Sequence, residues 1–314
     1  MEDYLSIYDI LLTPIYLGVV LFLAKLYEKS KIAEHPEYKY FTRGLFIKII
    51  GAFALGCVYM FYYDGGDTTN YFQSARAYVN LAFHNPEMFF EGWFGRPTYY
   101  EINSSFTHET TYPVYYHRDY HAFWVVRLLI PIEFFGANSY FCTSILVALI
   151  TYSGAWKLYK TFLAEFPTLR KELAIACIYI PSCVFWGSGI MKDSFTLAAV
   201  GWYTFAFYNF FIKRSFNFKF ASYLIISSFV ILAIKPYIFF AILPGSIFWL
   251  SNQQIAKISN KIMRFMVAPI LIAIGGFGGF FALQQMGDSL GQYKVDNVLD
   301  KAATTQKDMK ADYY

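Results

Sequence analysis

Of the 314 residues, 57% are hydrophobic, 22% aromatic and only 15% charged, with a formal net charge of +4 and a mean hydropathy of +0.36. Soluble domains average about 45–50% apolar and about 25% charged residues, so an ordinary soluble protein is excluded; the aromatic content excludes disorder. No basic run is interleaved with stacking aromatics, which excludes a nucleic-acid partner and leaves a polytopic membrane protein.

Taken in chain order, Met1 to Asp9 carry acids and no basic stretch, so no cleavable signal peptide is expected. Eight apolar runs are then read as crossings: Ile10 to Leu26, Leu45 to Tyr62, Tyr140 to Tyr159, Leu173 to Ile190, Phe195 to Ile212, Phe220 to Ile234, Tyr237 to Leu250 and Phe265 to Leu283. With the N-terminus outside, 16 of the 26 basic residues fall in the four inner connections and at their edges, Lys48 among them, as the positive-inside bias requires. The four cysteines, Cys57, Cys142, Cys177 and Cys183, lie in apolar runs without zinc spacing and read as small buried hydrophobes.

Between the second and third crossings lies a long outer segment, residues 63–138. Tyr71, Phe72, Ala75, Tyr78, Val79 and Ala82 recur at helical spacing, with Gln73, Arg76 and Asn80 on another side, which predicts a surface helix over 69–90. The run Ala122 to Phe135 is short and contains Arg127 and Pro131, so a second helix lying in the interface is predicted over 122–135. An irregular aromatic stretch around Trp93 to His121 joins the two. The predicted organisation is all-α: a transmembrane bundle over 1–284, then a polar tail over 285–314 that reads as the truncated start of something longer.

Three motifs place charge at the outer ends of these helices, where ionisable groups are costly and usually functional. In Tyr63-Asp64-Gly65-Gly66-Asp67-Thr68-Thr69, two carboxylates three residues apart follow a span. They suit a divalent cation, or a general base if a low-dielectric site brings one toward neutrality; Asp67 or Thr68 is also placed to cap the next helix. In Pro181-Ser182-Cys183-Val184-Phe185-Trp186-Gly187-Ser188-Gly189-Ile190-Met191-Lys192-Asp193-Ser194, a Gly-Ser-Gly turn leads to Lys192, a point charge suited to phosphate, and to Asp193, a candidate cap. Lys235, before Pro236, is a second outer lysine. Two such lysines on the side of Asp64 and Asp67 read as an anion site beside a carboxylate, with Arg76 as a further phosphate contact. Asp193, Ser188, Tyr71, His117 and Arg118 are read as supporting residues. The cluster His117, Arg118, Asp119 and His121 matches no zinc spacing, so no protein metal site is assigned.

A span ending in an acid, a long outer loop holding two surface helices, and a further span resemble the GT-C superfamily of integral-membrane glycosyltransferases. The Pro-Ser-x-x-Phe-Trp-x-Ser-Gly-x-x-Lys-Asp segment is similar to one in bacterial envelope-polysaccharide membrane proteins, including polymerase-like ones. The likeness covers roughly Leu45 to Leu250. It departs from the superfamily in the extra helix Ile10 to Leu26, which puts the N-terminus outside. The resemblance implies a polyprenyl-phosphate-linked sugar donor, a glycan or lipid acceptor, and a bacterial inner membrane. It also implies inverting transfer with Asp64 or Asp67 as base, the lysines on phosphate, and a divalent cation as an optional cofactor. The alternatives are a Wzy-like or EpsG-like polymerase using the same donor chemistry, and a non-enzymatic transporter or structural subunit.

Overall fold

The computed structural model describes residues 5, 7–95, 98–107, 111, 113–255, 269, 277 and 303. They belong to two compact units, Met1–Phe205 and Ala206–Tyr314. All regular structure among the described residues is helical. Among the described residues four helices are long and apolar enough to cross a membrane, Asp9–Lys31, Pro36–Tyr62, Tyr140–Glu165 and Lys192–Ile212, which makes the chain a multi-pass membrane protein.

Four of the eight predicted crossings thus correspond to long helices. The run over Phe220 to Ile234 and that over Tyr237 to Leu250 form shorter apolar helices, Phe218–Ile234 and Pro236–Ser251. The run Leu173 to Ile190 is broken into pieces. The predicted crossing over Phe265 to Leu283 lies outside the described residues except for 269 and 277, and the tail over 285–314 except for 303.

The first unit begins with α1, Ile7–Lys31. A 3-10 turn, Pro36–Tyr40, leads into α2, Phe41–Cys57, and a π-helical turn, Val58–Tyr62, continues it. Then come α3, Asp67–His84, α4, Pro86–Phe94, α5, Tyr99–Ser105, and α6, Tyr120–Glu133. The single surface helix predicted over 69–90 is divided at Asn85-Pro86. The residue before a proline is disfavoured in the helical region, and Asn85 caps α4 instead, accepting from the Met88 N–H at 3.1 Å. Residues 99–105, expected to be irregular, form α5.

The predicted amphipathic face of α3 is also revised. Gln73 and Arg76 are buried together with Tyr71, Phe72, Ala75 and Tyr78, because α3 packs along α6. Arg127, the charge in the apolar α6 run, is buried too. Its guanidinium reaches the Gly95 carbonyl that ends α4 and lies over the rings of Phe123 and Trp124.

The long helix α7, Tyr140–Glu165, follows, and α8, Arg170–Ala174, runs through a π-helical turn, Ile175–Tyr179, into α9, Pro181–Trp186. Ile180, extended at ψ 120°, breaks this run where Pro181 starts a new helix. From Gly187 to Met191 the chain is irregular and buried, and α10, Lys192–Phe207, begins. Lys48, placed by charge counting at the edge of an inner connection, is instead buried in α2 and donates to the Gly187 carbonyl. Cys142 is buried as expected and Cys57 and Cys177 are partly so, whereas Cys183 is exposed on α9.

Glycines on α2 set its distance from its neighbours. A Cβ at Gly44 would lie 2.4 Å from the Tyr152 hydroxyl, one at Gly51 2.3 Å from the Val184 carbonyl oxygen, and one at Gly56 2.6 Å from the Tyr140 ring. Close approach through small residues is how helices associate where lipid supplies no hydrophobic contrast. The core beside them joins Leu45, Ile49 and Ala52 of α2 to Ile145, Ala148 and Tyr152 of α7.

In the second unit, α11, Phe218–Ile234, and α12, Pro236–Ile255, form a helical hairpin. Lys235 joins them, its N–H bonded to the Ile231 carbonyl at 2.8 Å. Tyr208 stacks on Trp249 at 5.5 Å between centroids.

Because the Val184 carbonyl is backbone and cannot swing away, Gly51→Ala is expected to destabilise the detergent-solubilised protein by about 1–3 kcal/mol. Gly18→Ala, with nothing within 4 Å of the added methyl, should leave the melting temperature unchanged or higher. Equal melting of the two variants would refute the close-contact assignment.

Candidate functional site

The first motif is built by backbone conformation. After the π-helical turn, the Gly65 N–H returns to the Tyr59 carbonyl at 2.8 Å. Asp64, Gly65 and Gly66 take positive φ of 54°, 123° and 136°. With ψ at −153°, Gly66 occupies a region open essentially only to glycine. The cap of α3 is therefore Gly66, and not Asp67 or Thr68. The Thr69 hydroxyl accepts from the Gly66 N–H at 3.0 Å and donates to its carbonyl at 2.9 Å. The Thr68 hydroxyl bonds the Tyr140 hydroxyl at 2.6 Å, fixing the head of α3 to the head of α7.

Asp64 and Asp67 are both exposed, not enclosed in the low-dielectric surroundings that would bring a carboxylate toward neutrality. They differ in how they are held. No hydrogen bond or ion pair holds Asp64 among the described residues, whereas Asp67 Oδ1 accepts from the Tyr116 hydroxyl at 2.5 Å. The Tyr116 ring stacks on that of Tyr71, with centroids 4.6 Å apart, and Tyr71 lies one helical turn after Asp67 on the same face of α3. Burial first, and then the Asp67 carboxylate, push the Tyr116 phenol well above its ordinary value, so it remains a donor.

Tyr116 opens a turn closed by the Asp119 N–H on the Tyr116 carbonyl at 2.9 Å. Asp119 Oδ1 accepts from the N–H groups of His121 and Ala122 at 3.0 and 3.1 Å, capping α6. Asp119 Oδ2 meets Lys192 Nζ at 3.2 Å. Burial alone would raise the Asp119 carboxyl, but the Ala122 N–H, the Lys192 ammonium and the His121 N–H hold it below the usual carboxylate range. Between the ends of the turn, His117 is partly buried and Arg118 exposed. Burial, aided by the Arg118 charge, pushes the His117 imidazole down, which keeps it neutral at pH 7.

Asp67, Tyr71 and Lys192 are thus joined through one loop, and the supporting residues His117 and Arg118 lie within it. Ser188 is fully buried in the irregular segment. Asp193 falls within the first turn of α10; the hydroxyl beside it, Ser194 Oγ, donates to the Gly189 carbonyl at 2.6 Å. Lys235 belongs to the second unit. Among the described residues no group of three or more His, Cys, Asp or Glu side chains is placed to hold a metal ion.

Arg76 takes part in a buried polar cluster that sequence reasoning missed. Asp9 Oδ1 accepts from the Ser139 hydroxyl at 2.6 Å and the Phe141 N–H at 3.0 Å, tying the start of α1 to the start of α7. Glu133, at the end of α6 and only 1% exposed, accepts from the Thr143 hydroxyl and lies in the field of Arg76. Burial pushes the Glu133 carboxyl up to about 8, outweighing the Thr143 hydrogen bond and the Arg76 charge. Tyr116 was legible only as one of many aromatic residues. Asp119, by contrast, carried a capping signal, an acid directly before a helical apolar run.

No protein-family model matches the sequence, and no significant match occurs among curated proteins or solved structures.

The cluster predicts a pH dependence. A carboxyl whose folded value lies above its unfolded one stabilises the fold below the unfolded value and loses that contribution as pH rises through the folded one. The melting temperature of the wild type is expected to fall, relative to Glu133→Gln, as pH rises from 4.5 to about 8. Parallel melting of the two proteins across this window would show that Glu133 titrates normally.

Proposed function

We propose that the chain is an integral-membrane glycosyltransferase of the GT-C kind. It moves a sugar from a polyprenyl-phosphate or polyprenyl-diphosphate donor to an envelope glycan or lipid acceptor at the outer face of a bacterial inner membrane. In this reading it crosses the membrane eight times with its N-terminus outside. The observation that carries the proposal is the tying of Asp67 and Lys192 to opposite ends of one turn, Asp67 through Tyr116 and Lys192 through Asp119.

The polyprenyl tail lies among the helices and Lys192 receives the phosphate as a point charge. Asp67 accepts the proton of an acceptor hydroxyl, whose oxygen forms a bond to the anomeric carbon. The bond from that carbon to the phosphate oxygen breaks, and the lipid phosphate departs with the electron pair, its charge balanced by Lys192. Attack opposite the leaving group inverts the anomeric centre. Between the two acids, Asp67 is the better base because Tyr116 fixes its orientation, and fixed geometry is a large part of general-base efficiency. Lys235, which belongs to the second unit, is given no contact in this site, and neither is Arg76, which lies in the buried cluster.

In membranes supplied with radiolabelled polyprenyl-phosphate hexoses, Asp67→Asn is expected to lower transfer by about 100- to 10,000-fold. Lys192→Ala should raise the donor KM by about 10- to 100-fold. If both variants insert normally and transfer sugar at the wild-type rate, the proposal is wrong.

A further inference from the structure

We infer that the Tyr116–Asp119 turn sets the register between the two halves of the reaction, and that Tyr116 is the positioning residue of Asp67. The inference rests on the glycosyltransferase reading above and assigns a specific role within it.

Three features of Tyr116 point to positioning. Its hydroxyl occupies one carboxylate oxygen of Asp67, Oδ1, and leaves Oδ2 to take the proton of an acceptor hydroxyl. Its ring lies against Tyr71, which is itself fully buried in α3, so the hydroxyl is carried on a fixed platform and not on a free side chain.

Its backbone is also held in the left-handed region, at φ 64°, a conformation that is uncommon and costly for a bulky residue and persists only when the surroundings over-determine it. The surroundings here do so from both sides. The Tyr115 N–H donates to Ser74 Oγ at 2.8 Å while that hydroxyl donates to the Asn70 carbonyl at 2.7 Å. On the other side the Asp119 N–H closes the turn.

The far end of the turn gives the arrangement its reach. A hydrogen-bonded four-residue turn holds its end Cα atoms within about 7 Å. Asp119 at that end is fixed twice, by capping α6 and by pairing with Lys192. The base and the phosphate lysine come from helices more than 100 residues apart in sequence, α3 and α10, yet both are referenced to the same short piece of chain. A shift of the turn displaces both together, so their separation is preserved.

The test uses the full chain in membranes with radiolabelled polyprenyl-phosphate hexoses and compares Tyr116→Phe, Asp67→Asn and the double variant. Tyr116→Phe keeps the ring on Tyr71 and removes only the hydroxyl. It is expected to lower kcat by about 10- to 100-fold, leave the donor KM and the melting temperature unchanged, and add no further loss in the Asp67→Asn background. Tyr116→Leu, which loses the ring as well, should show the same kcat loss with a lower melting temperature. A wild-type kcat for Tyr116→Phe beside an inactive Asp67→Asn would overturn the positioning role and leave the glycosyltransferase reading standing. Independent, multiplicative losses in the double variant would also overturn it. Wild-type transfer by Asp67→Asn would instead overturn the reading on which the inference rests.

Discussion

At three glycines on α2, neighbouring atoms lie where a side chain would begin: the Tyr152 hydroxyl at Gly44, the Val184 carbonyl at Gly51 and the Tyr140 ring at Gly56. The arrangement of the first unit depends on that closeness. Tyr152 and Tyr140 belong to α7, so α7 is held along most of the length of α2. Val184 belongs to α9, which brings the irregular 187–191 segment onto the same helix. Both ends of the candidate site follow from it: α2 runs on through its π-helical turn to Asp64 and Asp67, and the irregular segment delivers Lys192. In lipid, helix packing rests on van der Waals contact and satisfied polar groups, so side chains as small as glycine on α2 are a structural requirement.

Two buried basic side chains in this unit share one use. Lys48 donates to the Gly187 carbonyl at the end of α9, and Arg127 donates to the Gly95 carbonyl at the end of α4. Both carbonyls lie at the C-terminal ends of short helices, where unpaired oxygens and the negative end of the helix dipole accumulate. In each case a basic side chain on a neighbouring helix satisfies the backbone where the helix stops. Irregular backbone is tolerated at membrane depth only where protein surrounds it and its polar groups find partners. That explains how a chain so poor in charge can hold buried lysine and arginine without placing them in a ligand site. The same logic separates Arg76, committed to the cluster with Glu133, from Lys192, whose partner Asp119 is partly exposed.

Much of the helical framework was legible in the sequence because length and apolarity alone mark a crossing, as with Tyr140–Glu165 and the run ending at Tyr62. The run Leu173 to Ile190 gave no sign of its division into short helices, because mean apolarity is blind to where a helix stops. Pro181 and Gly187 were visible, but their effect depended on α2 offering Lys48 to the broken backbone. Likewise the periodicity of 69–90 was correct on either side of Asn85-Pro86 and silent about the break between them. Buried Gln73 and Arg76 looked like a solvated face because sequence spacing cannot show that α6 covers it. The site was legible in its charges and not in its geometry. Asp67 and Lys192 announce themselves by type and position, whereas Tyr116, 49 residues from its partner, is one aromatic among the 28 tyrosines of the chain.

The exposure of Asp67 bears on how such a site would have to work. An enclosed carboxylate gains reactivity from desolvation; an exposed one gains it from orientation and from whatever covers it when substrate arrives. The elements that orient Asp67 are those that spend conformational energy: Gly66 in a region closed to other residues, and Tyr116 in the left-handed region. Asp64 shares the same strained loop, but no partner fixes its carboxylate among the described residues, so the strain around it orients backbone and not the acid. Strain of this kind matters most where it converges on a single side chain. Here the Gly66 turn sets where α3 begins, and the Tyr116 turn sets which oxygen of its first residue is occupied. Two constraints separated by a long stretch of chain therefore act on one carboxylate, which distinguishes Asp67 from the other exposed acids of the segment.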